Sequence, residues 1–154
     1  MNRVISCWLA LAMLMAISVA SWADEKPPVD AMRLLDIVSG LEEIGYTPIV
    51  EVSFDDGVWE VEAYKDQAAF ELLVNPKTGE VVSEHPDDGD PKPPADALLL
   101  SKIIEGLEKS GYSDLNDLSF ERQSWEAEAT HENERRELRV DPISGKVISD
   151  RRDN

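Results

Sequence analysis

The sequence predicts an α+β protein made of two tandem units, each with one helix packed on an antiparallel meander of three to four strands. The first observation behind this prediction is an internal duplication. Residues 26–84 match residues 92–150 without a gap at a shift of 66 positions, with 25 identities in 59 aligned pairs. Such a match indicates tandem duplication of one small structural unit. The second observation is that apolar residues in each copy change from helical spacing to alternation, as expected for a helix followed by strands.

A helix opens each unit. Asp30 and Asp96 follow Pro pairs and are the predicted N-caps, because Pro-Pro favours extended chain and Asp accepts from the first free N–H groups of a helix. Gly45 and Gly111 stand where a helix ends in a left-handed residue. The apolar residues between these signals recur at helical spacing: Met32, Leu35, Val38 and Leu41 in the first copy, and Leu100, Ile103, Ile104 and Leu107 in the second.

Strands follow each helix, because apolar and polar residues then alternate. In the first copy the alternating runs are centred on Val52, Val61 and Leu72, and a short fourth strand comes after them. Asp56-Gly57 predicts a tight turn between the first two strands, whereas Arg122-Gln123 in the second copy predicts a different turn. The pattern does not decide whether the strands of the two units join into one sheet.

The chain begins with a predicted signal peptide, residues 1–23. A positive start is followed by the apolar run Val4–Ala20, and Ser21-Trp22-Ala23 places small residues where signal peptidase cleaves. Cleavage after Ala23 predicts an exported, periplasmic protein with no stable membrane insertion. An uncleaved anchor is the alternative, since the apolar run is close to the ~18 residues that span a bilayer. Cys7, the single cysteine, leaves with this segment, so the mature chain has no disulfide or thiol chemistry.

The predicted mature chain has three parts. Residues 24–84 form the first repeat, residues 85–91 a polar linker, and residues 92–154 the second repeat. The linker carries no apolar residue that would anchor it to a core. A unit of about 60 residues is marginally stable alone, which is one structural reason to keep two.

The mature chain is strongly acidic. Removing Arg3 with the signal peptide leaves 14 basic and 32 acidic residues, a net charge of −18. Nucleic acid and anionic lipid bind proteins chiefly through Lys and Arg, so both are excluded as partners. The charge suits solubility alone, a basic protein partner, or weakly held divalent cations, and these alternatives stay open.

Three features recur in both copies. They are a helix ending in Gly-Tyr, a strand that begins Trp-Glu, as in Trp59–Glu62, and the turn segments Val74–Val81 and Val140–Val147. Together they resemble the PepSY domain, which occurs in propeptides of secreted metallopeptidases and in small exported bacterial proteins. The resemblance covers nearly all of the mature chain. It implies a non-catalytic module that inhibits or regulates peptidases, or that serves as an extracytoplasmic interaction domain.

No catalytic, cofactor or metal site is predicted. The sequence lacks the Gly-x-Ser-x-Gly, His-Glu-x-x-His and glycine-rich phosphate-loop motifs. Its two histidines, His85 and His131, lie in the linker and near a predicted turn, without a motif around them. The protein is therefore interpreted as not an enzyme. Trp59 and Trp125 are in phase with apolar neighbours and are predicted to be core residues.

The predicted binding surface is the sheet face that points away from the helices. In each copy it carries carboxylates on neighbouring strands, where like charges are costly unless they are countered. The predicted partner is a protein bearing Lys or Arg, such as a peptidase or a sensor domain. An ordinary solvated sheet face and an acidic divalent-cation-binding envelope protein are the alternatives. The candidate contacts are Glu60, Glu62, Tyr64, Glu71 and Leu73 in the first copy and Glu126, Glu128, Glu137 and Arg139 in the second, with Tyr64 and Leu73 as apolar contacts.

Overall fold

The computed structural model of the protein describes residues 25–153. The predicted signal peptide lies outside these residues, so its cleavage stays a prediction. Each copy contributes one helix and four strands. In chain order the elements are α1 (Leu34–Glu43), β1 (Ile49–Asp55), β2 (Val58–Lys65), β3 (Ala68–Val74), β4 (Val81–Asp87), α2 (Leu100–Lys109), β5 (Ser113–Glu121), β6 (Ser124–His131), β7 (Glu134–Val140) and β8 (Val147–Arg152).

These eight strands form one antiparallel sheet, in the order β4-β3-β2-β1-β5-β6-β7-β8. The predicted α+β class, with two tandem helix-plus-meander units, is therefore wrong: the described chain is mostly β, with two short helices. The physical reason is the pairing of β1 with β5, in which Glu51 lies opposite Ser119 and Val52 opposite Leu118. This pairing joins the first strands of the two copies and removes two exposed sheet edges, which are otherwise prone to unwanted association.

The seam between β1 and β5 carries the symmetry of the duplication. Leu118 is the residue 66 positions after Val52, so the two counterparts face each other across the seam. Ser119, the counterpart of Ser53, pairs with Glu51. An antiparallel pair in which counterparts face each other has an approximate two-fold axis through it. The two copies are therefore related by a rotation about the Val52–Leu118 pair.

The helices begin later than their sequence signals indicate. The N-cap of α1 is Arg33, and neither this residue nor the N-cap of α2 makes a side-chain cap. The predicted Asp N-caps are therefore wrong. Asp30 instead lies in the preceding turn, where its carboxylate accepts a hydrogen bond from Lys77 Nζ at 2.8 Å. The predicted helix ends are confirmed, since Gly45 and Gly111 have φ of +98° and +90°.

The core lies between the two helices and the sheet, and it contains residues of both copies. Trp59 and Trp125 are 2% and 1% exposed, which confirms their predicted place in it. Each indole meets a phenylalanine ring edge-on, at centroid distances of 5.1 and 5.7 Å. The two helices also contact each other, and Arg33 before α1 pairs with Glu108 of α2 at 2.5 Å. Burial in one shared core stabilises the two copies together.

The connection between the copies is partly structured. Strand β4 runs to Asp87, so it includes the first three residues of the predicted linker. The rest of the linker lies against Tyr64, whose hydroxyl donates to the main-chain carbonyl of Asp90 at 2.7 Å. Gly89, with φ of +85°, sits so close that a Cβ there would collide with the Tyr64 hydroxyl. Lys92 Nζ lies 3.7 Å from the centre of the Tyr64 ring. Together these contacts hold the connection to the sheet face opposite the helices.

Candidate binding face of the sheet

Outside the linker, the sheet face opposite the helices is uncovered, and strand pairing arranges its side chains in rows. In the first copy one row runs from Glu51 on β1 through Glu62 on β2 and Glu71 on β3 to His85 on β4. Glu60 lies two residues from Glu62 on the same face. Carboxylates directly opposite one another destabilise a sheet unless a cation counters them. We refer to Glu51, Glu60, Glu62 and Glu71 as the acidic half of the face.

In the second copy the same face carries arginines among its carboxylates. Glu126 and Arg139 stand opposite each other in the strand register, as do Glu137 and Arg151. Arginines of the chain itself therefore counter the negative charge of these carboxylates. We refer to the six residues of the ion pairs given next as the paired half of the face. Their ion pairs are Arg139–Glu126 at 3.8 Å, Arg135–Glu128 at 2.7 Å and Arg151–Glu137 at 3.4 Å.

The difference between the halves comes from three positions. Within residues 25–153, the four carboxylates of the acidic half have no ion pair. The duplication shows why, since each arginine of the paired half has an uncharged or weakly basic counterpart 66 positions earlier. Arg135, Arg139 and Arg151 correspond to Ala69, Leu73 and His85.

Three carboxylates of the acidic half have raised pKa values, and burial is the largest cause in each case. Burial raises the pKa of Glu62 to about 7, with a hydrogen bond to Asp90 and the negative charges of Glu51, Asp90 and Asp87 adding to the rise. Burial, followed by the charges of Asp117 and Asp90, also raises the pKa of Glu51. Burial, then Asp55 and Glu71, raises the pKa of Glu60. Each ionised carboxylate here stands in a negative field, so a bound cation would lower the free energy of the charged form.

Two of these carboxylates converge with a third that belongs to the linker. Oxygens of Glu51, Glu62 and Asp90 all lie within 4.8 Å of one another, with Asp90 exposed and the other two half-buried. Oxygen atoms at this spacing can share a proton or approach a hard cation. Exposed acidic groups of this kind are common without an ion. The cluster is therefore a local concentration of negative charge.

Eight of the nine predicted contact residues lie on the open face of the sheet. Four of them belong to the first copy and four to the second. Tyr64 differs from the rest: it is 8% exposed and lies beneath the linker, so it is not available as an apolar contact. Leu73 is half-buried between Glu60 and Ser83 in the strand register. Arg139 also donates to Ser124 Oγ at 2.9 Å, which holds its guanidinium against the sheet. Partner binding by these residues stays a prediction.

Sequence reasoning missed several residues of this face. Glu51 was recognisable, because it precedes core residue Val52 in an alternating run and therefore points away from the helices. Nothing in the sequence indicated that Asp90 lies on this face, because its position depends on the path of the linker. Arg151 likewise required knowledge that β8 pairs with β7, which sets it opposite Glu137.

The sequence was also compared with known protein families. The family model described as peptidase propeptide and YPEB domain matches residues 7–85 and again residues 87–151. The chain belongs to this PepSY family. The match confirms the resemblance drawn from the Gly-Tyr helix ends and the two turn segments. In this PepSY chain the two matched segments meet at Pro86, which lies in β4 and within the predicted linker.

No curated protein matches this PepSY chain. Among solved structures, a candidate lipoprotein from Clostridium difficile 630 is 13% identical, with a TM-score of 0.44, covering 77% of this chain and 90% of its own. A DUF2874 family protein from Bacteroides uniformis ATCC 8492 is 12% identical, with a TM-score of 0.28, covering 81% and 88%. A candidate periplasmic protein from Bacteroides eggerthii DSM 20697 is 13% identical, with a TM-score of 0.29, covering 83% and 90%. Similarity at this level establishes neither function nor partner.

The helices of this PepSY chain are short. Neither α1 nor α2, nor any other helix in the described residues, is long and apolar enough to cross a membrane.

Proposed function

We propose that the protein is a non-catalytic module of the periplasm that binds a protein partner through the open face of its sheet. Through that binding it inhibits or regulates a peptidase or an envelope sensor protein. The observation that carries this proposal is the acidic half of the face, whose four carboxylates make no ion pair within residues 25–153. Membership of the PepSY family and the predicted signal peptide support the same interpretation.

The chemistry of the acidic half defines the partner. Glu71 is exposed and Glu60 is partly exposed, and Leu73, opposite Glu60 in the strand register, offers a small apolar contact. A partner segment with Lys or Arg would supply the missing positive charge and would relieve the repulsion between neighbouring strands. The paired half has less to gain, because its carboxylates already contact arginines. The partner is therefore expected to dock mainly on the first copy.

A hydrolytic activity has little support from the geometry. Ser83 Oγ lies 2.9 Å from His85 Nε2, and His85 stands opposite Glu71. However, His85 and Glu71 are exposed on β4 and β3, and four cavities of the described chain are lined by neither Ser83 nor His85. Acyl transfer needs a substrate held against donors that stabilise the oxyanion. His131 packs on the Tyr112 ring at 4.7 Å.

The test uses matched variants that the duplication supplies. The tagged chain from Asp24 onward is used to capture proteins from native envelope extract, beside a triple variant of the acidic half, Glu60→Gln, Glu62→Gln and Glu71→Gln. The control changes the counterparts, Glu126→Gln, Glu128→Gln and Glu137→Gln, and so removes the same net charge. We expect a peptidase or sensor protein that the wild type and the control retain and that the acidic-half variant loses.

Other outcomes separate the alternatives. Retention of the same proteins by all three chains would contradict docking through the open face. Equal loss in both variants would mean that net charge alone attracts the partner. Loss of capture on addition of EDTA, with calorimetric binding of Ca²⁺ or Mg²⁺ to the isolated protein, would favour the acidic cation-binding alternative, for which the Glu51, Glu62 and Asp90 cluster is the starting point.

A further inference from the structure

The linker covers an apolar residue on the open sheet face of the first copy. The register between β1 and β2 shifts at Val50, which forms a bulge beside Glu51, opposite Glu62. Val50 is 2% exposed, yet it does not belong to the core between the sheet and the helices. It lines a cavity of about 280 Å³ together with Asp90 and Pro91 of the linker. The burial of Val50 therefore depends on the linker.

Tyr64 is the second apolar residue beneath the linker. It lies on the open face of β2 and is 8% exposed. Its hydroxyl donates to the main-chain carbonyl of Asp90 at 2.7 Å, Lys92 Nζ lies 3.7 Å from its ring centre, and Gly89 packs against its hydroxyl. These three contacts come from one short segment, and we refer to residues 88–92 as the strap.

The second copy shows why the first needs a cover. The counterparts of Val50 and Tyr64 are Asn116 and Thr130, which are polar and partly exposed. Polar side chains on an open sheet face are solvated, whereas removing the strap would expose the apolar surface of Val50 and Tyr64 to water. Burial of these two residues therefore favours the covered face.

The strap also meets the sheet at an acidic contact, which opposes covering. Oxygens of Glu51, Glu62 and Asp90 all lie within 4.8 Å of one another. Glu51 and Glu62 belong to the sheet and Asp90 to the strap, so with all three ionised the strap and the sheet repel each other here. A proton held between Glu62 and Asp90 removes part of that repulsion and supplies a hydrogen bond.

We propose that the strap is a proton-controlled cover, which lies on the sheet face while Glu62 holds a proton and lifts from Val50 and Tyr64 when Glu62 ionises. The apolar contacts and the bond from Tyr64 to the strap hold it in place in the protonated form. Ionisation adds repulsion at the one point where the strap faces carboxylates, and the strap has a cavity beside it that gives water access to this point.

The surroundings of Glu62 offer it little compensation. Two cations lie nearby, Lys92 on the Tyr64 ring and Arg122, which pairs with Glu126 at 3.8 Å. Neither forms an ion pair with Glu62 within residues 25–153. The titratable and charged groups around Glu62 and its neighbour on β1 are Glu51 on β1, Glu60 on β2, Glu71 on β3, His85 and Asp87 on β4, Asp117 and Glu121 on β5, Asp90 and Lys92 on the strap, and Arg122 after β5.

The direction of the change follows from proton linkage. Burial, then the hydrogen bond to Asp90 and the charges of Glu51, Asp90 and Asp87, raises the pKa of Glu62 from 4.5 to about 7 in the covered form. The ratio of covered to open molecules is therefore greatest below pH 4.5 and falls as the pH rises through 7. The fall is at most about 300-fold, the factor that corresponds to a pKa of 4.5 in the open form and about 7 in the covered form.

Lifting the strap would change the face on which a partner is proposed to dock. Val50 and Tyr64 would become apolar contacts beside the carboxylates of the acidic half. This consequence rests on the proposed function, whereas the movement of the strap does not. The test therefore uses the isolated protein, whose response is the same whether or not a partner docks there.

Solvent access to the covered residues measures the position of the strap. Nuclear magnetic resonance spectra of the chain from Asp24 onward, with ¹³C-labelled valine methyls and tyrosine rings, are recorded with a neutral gadolinium chelate, which broadens signals that it can approach. We expect Val50 and Tyr64 to be protected at pH 5 and to be broadened severalfold more at pH 8. The methyls of Val38 and Val61, which are fully buried in the core, should stay protected at both values.

Variants test the cause of the movement. Glu62→Gln and Asp90→Asn each replace a carboxylate with an amide that donates a hydrogen bond at any pH, so both should keep Val50 protected at pH 8. Glu128→Gln, the counterpart change in the second copy, should respond to pH as the wild type does. Tyr64→Phe removes the bond to the Asp90 carbonyl and should increase the broadening of Val50 at both pH values.

Several results would overturn the proposal. Equal protection of Val50 and Tyr64 at pH 5 and pH 8 would mean that the strap stays in place when Glu62 ionises. Broadening of both already at pH 5 would mean that the strap does not cover them. A pH response that persists in Glu62→Gln and in Asp90→Asn would assign the movement to other groups, and broadening of Val38 and Val61 along with Val50 would identify it as unfolding.

Discussion

Glu62 lies among like charges on the acidic half of the sheet face. Burial, the hydrogen bond to Asp90 and the charge of Glu51 raise its pKa from 4.5 to about 7. Because the folded protein then holds a proton that the unfolded chain releases, the stability from this group is complete below pH 4.5. That stability is lost as the pH rises towards and through 7. At neutral pH the ionised carboxylate is therefore a destabilising group that the fold retains.

The first prediction follows from the destabilising effect of ionised Glu62 at neutral pH. Glu62→Gln removes the charge at neutral pH, so we expect the free energy of unfolding at pH 8 to rise by about 1 kcal/mol, a modest value because solvent screens the half-exposed group. The free energy of unfolding of this variant, measured in urea between pH 5 and pH 8, should also vary less with pH than that of the wild type. The control is Glu128→Gln, whose Arg135 partner lies 2.7 Å away. A Glu62→Gln curve parallel to that of the wild type would contradict the raised pKa.

The three tyrosines give a second residue-level prediction. A hydrogen bond from the Tyr46 hydroxyl to the Glu84 carboxylate, together with burial, raises the pKa of Tyr46 to about 12. Burial raises the pKa values of Tyr64 and Tyr112 as well. We therefore expect little tyrosinate absorbance at the ordinary value of 10.0 while the protein stays folded, and Glu84→Gln should bring one titration back towards that value. A single wild-type transition of all three residues near pH 10 would contradict this.

At the scale of elements, the first turns of the two copies have the same shape. Asp56 and Gly57 have φ of +47° and +79°, and Arg122 and Gln123 have φ of +48° and +67°. The prediction of a different turn in the second copy is therefore wrong. Both two-residue turns need the left-handed region, which suits the twist of a hairpin but is unfavourable for a residue with a Cβ.

This gives a prediction about the second turn. Gln123→Gly should raise the free energy of unfolding by about 0.5–1 kcal/mol, because glycine adopts the left-handed conformation without the clash of a Cβ. The reciprocal control is Gly57→Gln in the first copy, which should lower it by a similar amount. Urea denaturation of both variants measures the two effects. A loss of stability in Gln123→Gly would show that the Gln123 side chain, and not its backbone, matters at this turn.

The elements themselves could be read from the sequence more readily than their assembly. Alternation around Val52, Val61 and Leu72 located the first three strands, because it depends on neighbours along the chain. The pairing of β1 with β5 could not be predicted from the sequence. Alternation shows which face of a strand is buried, but it does not show which other strand lies beside it in the sheet. The open face followed from alternation, whereas the burial of Tyr64 depends on where the linker lies.

The whole molecule behaves as a two-fold pair held in one chain. Val52 and Leu118 face each other at the centre of the seam, and Arg33 of the first copy reaches Glu108 of the second. The counterpart of Glu108 is Glu42. Two identical first copies could therefore form the same seam, with Val52 opposite Val52 and Arg33 against Glu42 on both sides. The single chain keeps this arrangement at every concentration and lets the two halves of the face differ in charge.

The last prediction tests this symmetry. Expressed alone, residues 24–87 should form a symmetric dimer through β1, because separation from the second copy exposes a sheet edge and one side of a shared core. Sedimentation should show a concentration-dependent mass of two units, and the folded signal in circular dichroism should be lost on dilution, since about 60 residues bury too little surface to be stable alone. The control is residues 88–153, which place Leu99 where the first copy has Arg33 and so lack that ion pair; they should associate more weakly. A first copy that stays folded and monomeric at millimolar concentration would show that β1 does not need a partner strand. The seam would then be a consequence of linkage within one chain and not a preference of β1 itself.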